Sequence, residues 1–282
     1  DTALNKCLFG KTKFLYISPE RLSTELFKAK LDQMQVNLIA VDEAHCISQW
    51  GYDFRPSYLN IARVREYFPD TPVLAVTATA TPEVAEDIQK QLKFTKSNLL
   101  QKSFERKNLI YLVRRMEDKP RYLVNTLTKF KGSGIIYVRN RKKCKEIAQY
   151  LRQNRISADY YHAGLSTEVR NQKQQFWIEE KYRVMVATNA FGMGIDKPNV
   201  RFVIHYDLPD NIESYFQEAG RAGRDEKTSY AVLLFNNADK IRAKQRILTK
   251  FPEIITIKKV YQALGNYLQI PYGGWKIYFV RF

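Results

Sequence analysis

The stretch LIAVDEAHCISQWGYDFRP, from Leu38 to Pro56, decides the fold prediction because an apolar run is followed at once by two carboxylates. The run Leu38 to Val41 predicts a fully buried strand of a parallel sheet, with Asp42 and Glu43 at its carboxyl end. Open α/β sheets bind their ligands at that edge. The sequence therefore predicts an α/β domain with a polar site directly after this strand.

The polar residues after this strand suit a nucleotide bound with Mg²⁺. We expect Asp42 to hold the metal through its water shell, with Glu43 as the second carboxylate at the metal. Glu43 would also orient or deprotonate the attacking water, and His45 would relay the state of the site outward. Taken alone, the pattern is equally consistent with a strand that simply ends in polar residues.

Eight further short apolar runs alternate with segments of helical pattern, which is typical of parallel sheets with crossover helices. The predicted strands besides Leu38–Val41 are Phe14–Ile17, Val73–Val76, Leu109–Val113, Gly134–Val138, Ala158–Tyr161, Val184–Ala187, Phe202–His205 and Ala231–Phe235. We therefore predict an α/β protein.

Predicted helix starts lie between these runs. Ser18 before Pro19 and Thr81 before Pro82 each fit an N-cap with proline at the first helical position, and Asp210 with Glu213 fits a capping box. The polar and basic stretch QKSFERKN (101–108) predicts a linker between two α/β domains. After residue 235 the pattern becomes helical, and an apolar stripe predicts a core. Its members are Ile257, Val260, Tyr261, Leu264 and Leu268.

The composition favours a nucleic-acid partner and a reducing compartment. The formal net charge is +17, and basic runs occur at 139–145 (RNRKKCK) and 240–246 (KIRAKQR). A single run is consistent with a solvated helix face, but the overall excess fits a polyanion bound through its phosphates. Cys7, Cys46 and Cys144 form no CxxC pair, which disfavours both a disulfide framework and a zinc module. No apolar run is long enough to span a bilayer, and no signal peptide is recognisable.

Four polar motifs follow predicted strands and are expected to share one side of their sheets. They are SPERL (18–22), DEAH (42–45), TATAT (77–81) and TNAFGMGIDKP (188–198). Each has a simpler interpretation alone: a helix cap, a strand end, a turn or a flexible loop. Because loops at the carboxyl ends of parallel strands converge on one crevice, we expect Thr77 and Gly194 to contribute to nucleotide binding.

The motif QEAGRAGRD (217–225) places Arg221 and Arg224 three residues apart around glycines. Guanidinium groups suit transferring phosphoryl oxygens, so the pair predicts an arginine finger. A salt-bridged arginine pair at a helix end is the alternative.

These motifs resemble those of the RecQ family of superfamily 2 DNA helicases, and the resemblance covers nearly all of residues 14–235. The matching segments are DEAHCISQWGYDFRP (42–56), AVTATA (75–80), YHAGL (161–165), ATNAFGMGIDKPNVRFVIH (187–205) and QEAGRAGRD (217–225). The resemblance implies tandem RecA-like parallel-sheet domains, of which the first is incomplete, and a short helical C-terminal extension. We expect boundaries at 1–105, 106–238 and 239–282.

The resemblance also implies roles for individual residues. Asp42 and Glu43 would serve metal binding and hydrolysis, and Gln217, Arg221 and Arg224 would reach the nucleotide from the second domain. Asp196 would lie near the ribose and phosphates. The residues implied to face DNA are Ser18, His162 and Thr188, together with Trp50, Phe54 and Arg55 of an aromatic-rich loop.

Trp50 is also predicted from its chemistry, because stacking of a base on tryptophan contributes about 1–3 kcal/mol and tolerates any sequence. A DNA sensor is one interpretation, and an anchor of the loop in the core is the other. The family usually has histidine where this chain has Tyr52.

Two departures from the family pattern shape the expectations. The tripeptide Gly10-Lys11-Thr12 leads into a predicted strand and lacks an earlier glycine at Asn5, so it does not fit a phosphate-binding loop. We therefore expect the chain to begin inside the first domain and, by itself, to hydrolyse ATP inefficiently. No cysteine follows Cys144, so the four-cysteine module of many family members is either lacking or beyond the chain.

Two classes of function follow. The first, implied by the resemblance, is an ATP- and Mg²⁺-dependent 3′-5′ DNA helicase that would act in repair and recombination on single-stranded and branched DNA, with single-strand-binding or repair proteins as expected partners. The second is a DNA-binding scaffold that does not hydrolyse ATP, and a chromatin-type translocase is a third option. Intact Glu43, Arg221 and Arg224 favour the first. We expect a cytoplasmic, nucleoid-associated protein and no membrane partner.

Overall fold

The computed structural model describes residues 2–9, 12–51, 53–192 and 194–267. It divides into two compact units. The first comprises Asp1–Arg106 with Asn211–Gln217, and the second comprises Lys107–Asp210 with Glu218–Phe282. Each unit is described by itself.

The first unit contains two parallel strands, β1 (Ile39–Val41) and β2 (Val73–Ala75), paired in the register Ile39 with Val73. Its helices are α1 (Thr2–Leu8), α2 (Glu25–Leu31), α3 (Leu59–Tyr67) and α4 (Pro82–Gln91). Short 3₁₀ helices span Pro19–Ser23, Ala44–Ile47 and Pro56–Tyr58. Val41, Ile47 and Ile61 pack with residues of α4 in the larger of two cores.

The start of α4 confirms the predicted cap, because the Thr81 hydroxyl accepts a hydrogen bond from the Val84 backbone N–H at 3.4 Å and Pro82 occupies the first turn. Ser18 does precede a proline at a helix start, but the helix is a single 3₁₀ segment and the Ser18 side chain makes no capping bond. A proline therefore marks a helix start more reliably than it marks the helix type.

Two strand predictions in the first unit were wrong. The segment 14–17 forms no strand, and Phe14 and Tyr16 are 79% and 92% exposed. Leu38 is 54% exposed rather than buried, and Ala40 is also exposed. A strand needs a hydrogen-bonded neighbour, and in the described residues β1 pairs with β2 alone. An apolar run is thus insufficient for strand formation or burial without a partner.

The second unit is built on a six-stranded sheet in the order β3-β8-β7-β4-β6-β5, with every pairing parallel. The strands are β3 (Leu109–Arg115), β4 (Ser133–Tyr137), β5 (Ala158–Tyr161), β6 (Val184–Ala187), β7 (Val200–His205) and β8 (Ser229–Phe235). All six agree with the predicted runs. β4 and β6 are buried throughout, as expected for strands covered on both faces.

Helices cover both faces of this sheet. α5 (Lys119–Lys129), α6 (Arg141–Gln153) and α7 (Thr167–Ile178) belong to the second unit, and α8 (Ile212–Ala219) follows β7. One core joins α5 and α6 to the sheet through Leu123, Ile147 and Leu151. The opposite core contains Trp177 and Phe191. The loops that follow β4 and β6 therefore begin at strands that are packed on both faces of the sheet.

The predicted capping box at Asp210 and Glu213 was wrong. The Asn211 side chain accepts the capping bond from Ser214 N–H at 2.7 Å, and Asp210 instead pairs with Arg139 at 2.6 Å. Both Asn and Asp are good caps, so the choice depended on which side chain had another partner.

The chain after β8 is helical, as predicted, with α9 (Asn237–Lys250) and α10 (Ile254–Tyr267). The apolar stripe on α10 was predicted to be core, but Ile257, Val260, Tyr261 and Leu264 are each at least half exposed. Leu268 lies outside the described residues. No described helix is long and apolar enough to cross a membrane.

Candidate nucleotide and nucleic-acid site

Asp42 and Glu43 follow β1 directly and have an unusual backbone. Glu43 adopts the left-handed conformation with φ 48° and ψ 43°, which non-glycine residues rarely do. Its backbone N–H donates to Asp42 Oδ1 at 2.8 Å. Asp42 is exposed and the Glu43 side chain is 42% exposed. The tight turn thus presents two carboxylates to solvent at the end of a strand.

His45 connects these carboxylates to the segment after β2. The imidazole is 2% exposed, and its Nδ1 lies 2.9 Å from Thr77 Oγ1 and 3.4 Å from Glu43 Oε2. Burial lowers the pKa of His45, an effect that the nearby Asp53 carboxylate opposes. Backbone bonds from Val76 N–H to Val41 O and from Ala44 N–H to Val76 O hold the two segments together. The structure therefore joins Glu43, His45 and Thr77 in one network.

The donor chemistry of this network fits a magnesium ion. Mg²⁺ takes oxygen ligands and keeps several waters, so one or two exposed carboxylates at a solvent-facing turn are suitable. Asp42 and Glu43 provide such oxygens. Thr77 Oγ1 is engaged with His45 and with Thr79 N–H, so the structure shows Thr77 as a link within the site.

The aromatic loop presents Trp50 outward. Trp50 is 80% exposed, which contradicts the alternative that it anchors the loop in the core. The loop is fixed beneath it: the Trp50 N–H donates to Ser48 Oγ at 3.2 Å, and Ser48 Oγ donates to Asp87 at 2.6 Å. Phe54 is half-buried. An exposed indole on a held loop is suited to stacking against a base.

Arg55 and Ser18, two further predicted DNA contacts, are exposed in the same unit. The Arg55 guanidinium donates twice to Asp53 Oδ2, from Nη2 at 2.6 Å and from Nε at 3.1 Å, and this raises the pKa of Arg55.

Gln217, a predicted nucleotide-binding residue, lies in the segment grouped with the first unit, and its side-chain amide donates to Glu43 Oε1 at 3.3 Å.

In the second unit the two predicted finger arginines bind the loop between β6 and β7. Arg221 is 9% exposed and donates from Nη1 to the Gly192 carbonyl. Arg224 donates to the Ile195 carbonyl at 3.0 Å and to Asp196 at 3.2 Å. Both guanidinium groups thus bind the same loop. The Asp196 side chain, although paired with Arg224, is 86% exposed to solvent.

Two glycines give this loop its path. Gly192 has φ 127° and Gly194 has φ 70°, conformations that favour glycine. A Cβ on Gly192 would collide with the Arg221 guanidinium, whereas a Cβ on Gly194 would meet nothing within 4 Å. Met193 lies outside the described residues. Gly192 is therefore needed for Arg221 to approach the backbone.

Thr188 and His162 follow neighbouring strands β6 and β5. Thr188 is buried at 9% exposure, and its N–H donates to Tyr161 O at 3.2 Å. His162 is partly exposed and stacks on Tyr160 with ring centroids 5.7 Å apart. Burial, and then the charge of Arg141, lowers the pKa of His162. His162 is thus more accessible to a ligand than Thr188.

Two features of the site were missed by sequence reasoning. Asp53 holds Arg55 and approaches Cys46, and Tyr137 donates from its buried hydroxyl to Phe191 O at 2.9 Å. The sequence did contain a signal for the Asp53–Arg55 ion pair, because an acidic and a basic residue flank Phe54. The Tyr137–Phe191 hydrogen bond depends on β4 and β6 being neighbours in the sheet, and no pattern in the sequence indicated it. Gly10 and Lys11, excluded as a phosphate loop, lie outside the described residues.

Two family models match the chain. A DEAD/DEAH box helicase model matches residues 2–88, and a helicase conserved C-terminal domain model matches residues 118–226. Their order along the chain is that of the two predicted α/β domains.

Curated relatives match over most of the chain. The ATP-dependent DNA helicase RecQ of Bacillus subtilis is 48% identical over 238 residues, covering 84% of this chain and 40% of the relative. The RecQ protein of Haemophilus influenzae is 45% identical over 250 residues, covering 88% of this chain and 40% of the relative. The chain therefore spans about two-fifths of the length of these relatives.

A solved structure supports the fold. S. cerevisiae Dbp5 bound to RNA and ADP BeF₃ superimposes with a TM-score of 0.60 at 24% identity, covering 82% of this chain and 61% of that one. This likeness supports the fold, which is α/β with two RecA-like domains.

Proposed function

This chain belongs to the RecQ family of DEAD/DEAH-box helicases, and from that premise we propose that the protein is an ATP-dependent 3′-5′ DNA helicase. The observation that carries the proposal is the network of Glu43, His45 and Thr77 beside the loop that exposes Trp50. A hydrolytic carboxylate and a base-stacking surface thus lie in one short segment. Repair and recombination are the processes such an activity would serve.

In this proposal, ATP would bind together with Mg²⁺, which would supply positive charge to offset that of the phosphates. Asp42 and Glu43 are the residues that would hold the ion. Glu43 orients the attacking water and accepts its proton, and its left-handed backbone fixes the carboxylate beside Asp42. Arg221 and Arg224 supply guanidinium charge, which is worth roughly 10³ to 10⁵ in turnover in nucleotide hydrolases.

Single-stranded DNA is the proposed partner, and branched DNA is the proposed substrate. Trp50 stacks on bases, Arg55 and Ser18 contact phosphates, and His162 contributes from the second unit. Movement of Trp50 is transmitted through the 3₁₀ helix Ala44–Ile47 to His45, because that helix connects the loop to the carboxylates. A cytoplasmic location and repair-protein partners remain predictions.

The test measures ATP hydrolysis by the complete gene product with and without single-stranded DNA. We expect DNA to stimulate hydrolysis, and Glu43→Gln and Arg224→Ala each to lower turnover by about 10³ or more while DNA binding persists. Trp50→Ala should lower the stimulation by DNA more than the basal rate.

DNA binding without any hydrolysis by the wild-type protein would favour the scaffold function instead. Turnover retained in both Glu43→Gln and Arg224→Ala would show that the roles are assigned to the wrong residues. Strand separation on a 3′-tailed duplex distinguishes a helicase from a translocase that does not unwind.

A further inference from the structure

Three potential metal ligands lie close together in the first unit, between the start of the 3₁₀ helix Ala44–Ile47 and the aromatic loop. His45 and Cys46 are 2% and 1% exposed, and Asp53 is half-buried. Cys46 Sγ lies 3.7 Å from His45 Nε2 and 3.8 Å from Asp53 Oδ2. All three ligand atoms lie within 4.8 Å of one another.

Zn²⁺ binds sulfur at about 2.3 Å, imidazole nitrogen at about 2.0–2.1 Å and carboxylate oxygen at about 2.0–2.2 Å, so ligand atoms in a tetrahedron lie roughly 3.3–3.6 Å apart. The two distances from Cys46 Sγ exceed this range by a few tenths of an ångström at most. The His45 and Asp53 ligand atoms lie within 4.8 Å of each other, so the Asp53 side chain would have to move toward the imidazole to complete a tetrahedron. A mixed sulfur, nitrogen and oxygen set suits Zn²⁺ and excludes Mg²⁺ and Ca²⁺, which require oxygen.

We propose that His45 Nε2, Cys46 Sγ and Asp53 form a binding site for Zn²⁺, with water as the fourth ligand. As the zinc–sulfur bond forms, the Cys46 thiol releases its proton to solvent, and no atom changes oxidation state. The site is distinct from the oxygen site of Asp42 and Glu43, and its ligand chemistry does not depend on the proposed helicase activity.

The surroundings of His45 support this binding mode. With zinc on Nε2, the other ring nitrogen keeps its hydrogen and can donate to Thr77 Oγ1 or Glu43 Oε2, which lie 2.9 and 3.4 Å from it. Zinc-bound histidines almost always donate from their second nitrogen in this way, which fixes the ring orientation. The imidazole ligand is thus already oriented.

Arg55 opposes metal binding because it occupies the same carboxylate. Its Nη2 and Nε lie 2.6 and 3.1 Å from Asp53 Oδ2, the oxygen that faces Cys46. Zn²⁺ and the guanidinium therefore compete for Asp53. Zinc occupancy is therefore linked to Arg55, a predicted DNA contact. Removal of the Cys46 thiol should weaken zinc binding, whereas removal of the Arg55 guanidinium should strengthen it.

The test titrates the protein with Zn²⁺ against a chromophoric chelator and records the absorption of the Co²⁺-substituted protein. We expect a single site with a thiolate-to-cobalt charge-transfer band. Cys46→Ser should abolish the band and weaken Zn²⁺ binding by at least about tenfold, whereas Arg55→Ala should tighten it. Cys7→Ser and Cys144→Ser are matched controls that should change neither.

Equal Zn²⁺ affinity of Cys46→Ser and wild type, or a Co²⁺ spectrum without the band, would overturn the proposal. If Cys46→Ser fails to fold, Asp53→Asn at the half-buried ligand replaces it, and unchanged Zn²⁺ affinity in that variant is equally decisive. Loss of binding in Cys7→Ser would assign the metal to an adventitious site at that thiol and would overturn the proposal.

Discussion

The left-handed backbone of Glu43 places strain at the residue proposed to handle the attacking water. A non-glycine residue in this conformation costs roughly 1–2 kcal/mol. The hydrogen bond from its N–H to Asp42 Oδ1 at 2.8 Å partly offsets that cost. Strained residues of this kind concentrate at functional sites because the surrounding structure holds them ready for reaction.

Gly192 and Gly194 allow a matched test of the loop between β6 and β7. Gly192→Ala should lower the free energy of unfolding by at least about 1 kcal/mol more than Gly194→Ala, because φ 127° lies far outside the left-handed region that other residues can adopt, whereas φ 70° lies at its edge. A Cβ at Gly192 would also displace the Arg221 guanidinium. Urea unfolding of both variants measures the difference, and equal losses would show that the loop relaxes around both substitutions.

The buried His45 predicts a dependence of stability on pH. Burial lowers its pKa in the folded state below the ordinary value of 6.5. Below that pH the unfolded chain binds more protons, so stability falls as pH decreases through this region. The urea midpoint should therefore drop between about pH 7.5 and about pH 5.5, and the drop should be smaller in His45→Asn. An identical drop in both proteins would assign the effect to other groups.

At the scale of elements, the start of α9 is tied to α5 by a buried ion pair. Asp239 and Asn236 form a capping box, and Lys119 Nζ lies 2.5 Å from Asp239 Oδ2 with both side chains at most 5% exposed. Burial would raise the pKa of Asp239, but hydrogen bonds from Lys119 and Arg242 lower it. Asp239 therefore remains ionised at neutral pH.

Removing one partner of this pair should be costly. Asp239→Asn should lower the free energy of unfolding by about 3–5 kcal/mol, because it leaves Lys119 buried without its counter-charge. In a double-mutant cycle with Lys119→Met, the coupling energy should be at least about 1 kcal/mol. The exposed pair Lys142–Glu146 is the control, with an expected coupling of about 0.5 kcal/mol or less. Similar couplings for the two pairs would contradict the role of burial.

The elements also show where sequence patterns were sufficient. All six strands of the second unit were predicted because their runs are mostly apolar and alternate with segments of helical pattern. The segment 14–17 has the same kind of apolar run but forms no strand in the described residues. Strand formation depends on hydrogen bonds to a neighbour, and a run does not reveal its neighbour.

At the scale of the whole molecule, the net charge of +17 predicts salt-sensitive binding to DNA. For about five phosphate contacts to a single strand, affinity should fall roughly hundredfold between about 50 and 200 mM monovalent salt. Fluorescence anisotropy with two oligonucleotides of different sequence measures the slope, which should be the same for both. An affinity independent of salt would show that stacking, rather than charge, dominates binding.

The sequence by itself determined the family and the α/β class, and it predicted the candidate site residues, because strands, their polar ends and glycine-arginine motifs are local patterns. Tertiary structure alone decided which of these residues touch. It buried Arg221 against Gly192, exposed Trp50, and joined His45 to Thr77 across thirty-two positions of sequence. It also brought the Asp53 carboxylate to the Cys46 thiol, although the absence of a CxxC pair in the sequence had disfavoured a zinc module. The physical reason is that partners, burial and ligand distances arise from packing between segments, which no local pattern encodes.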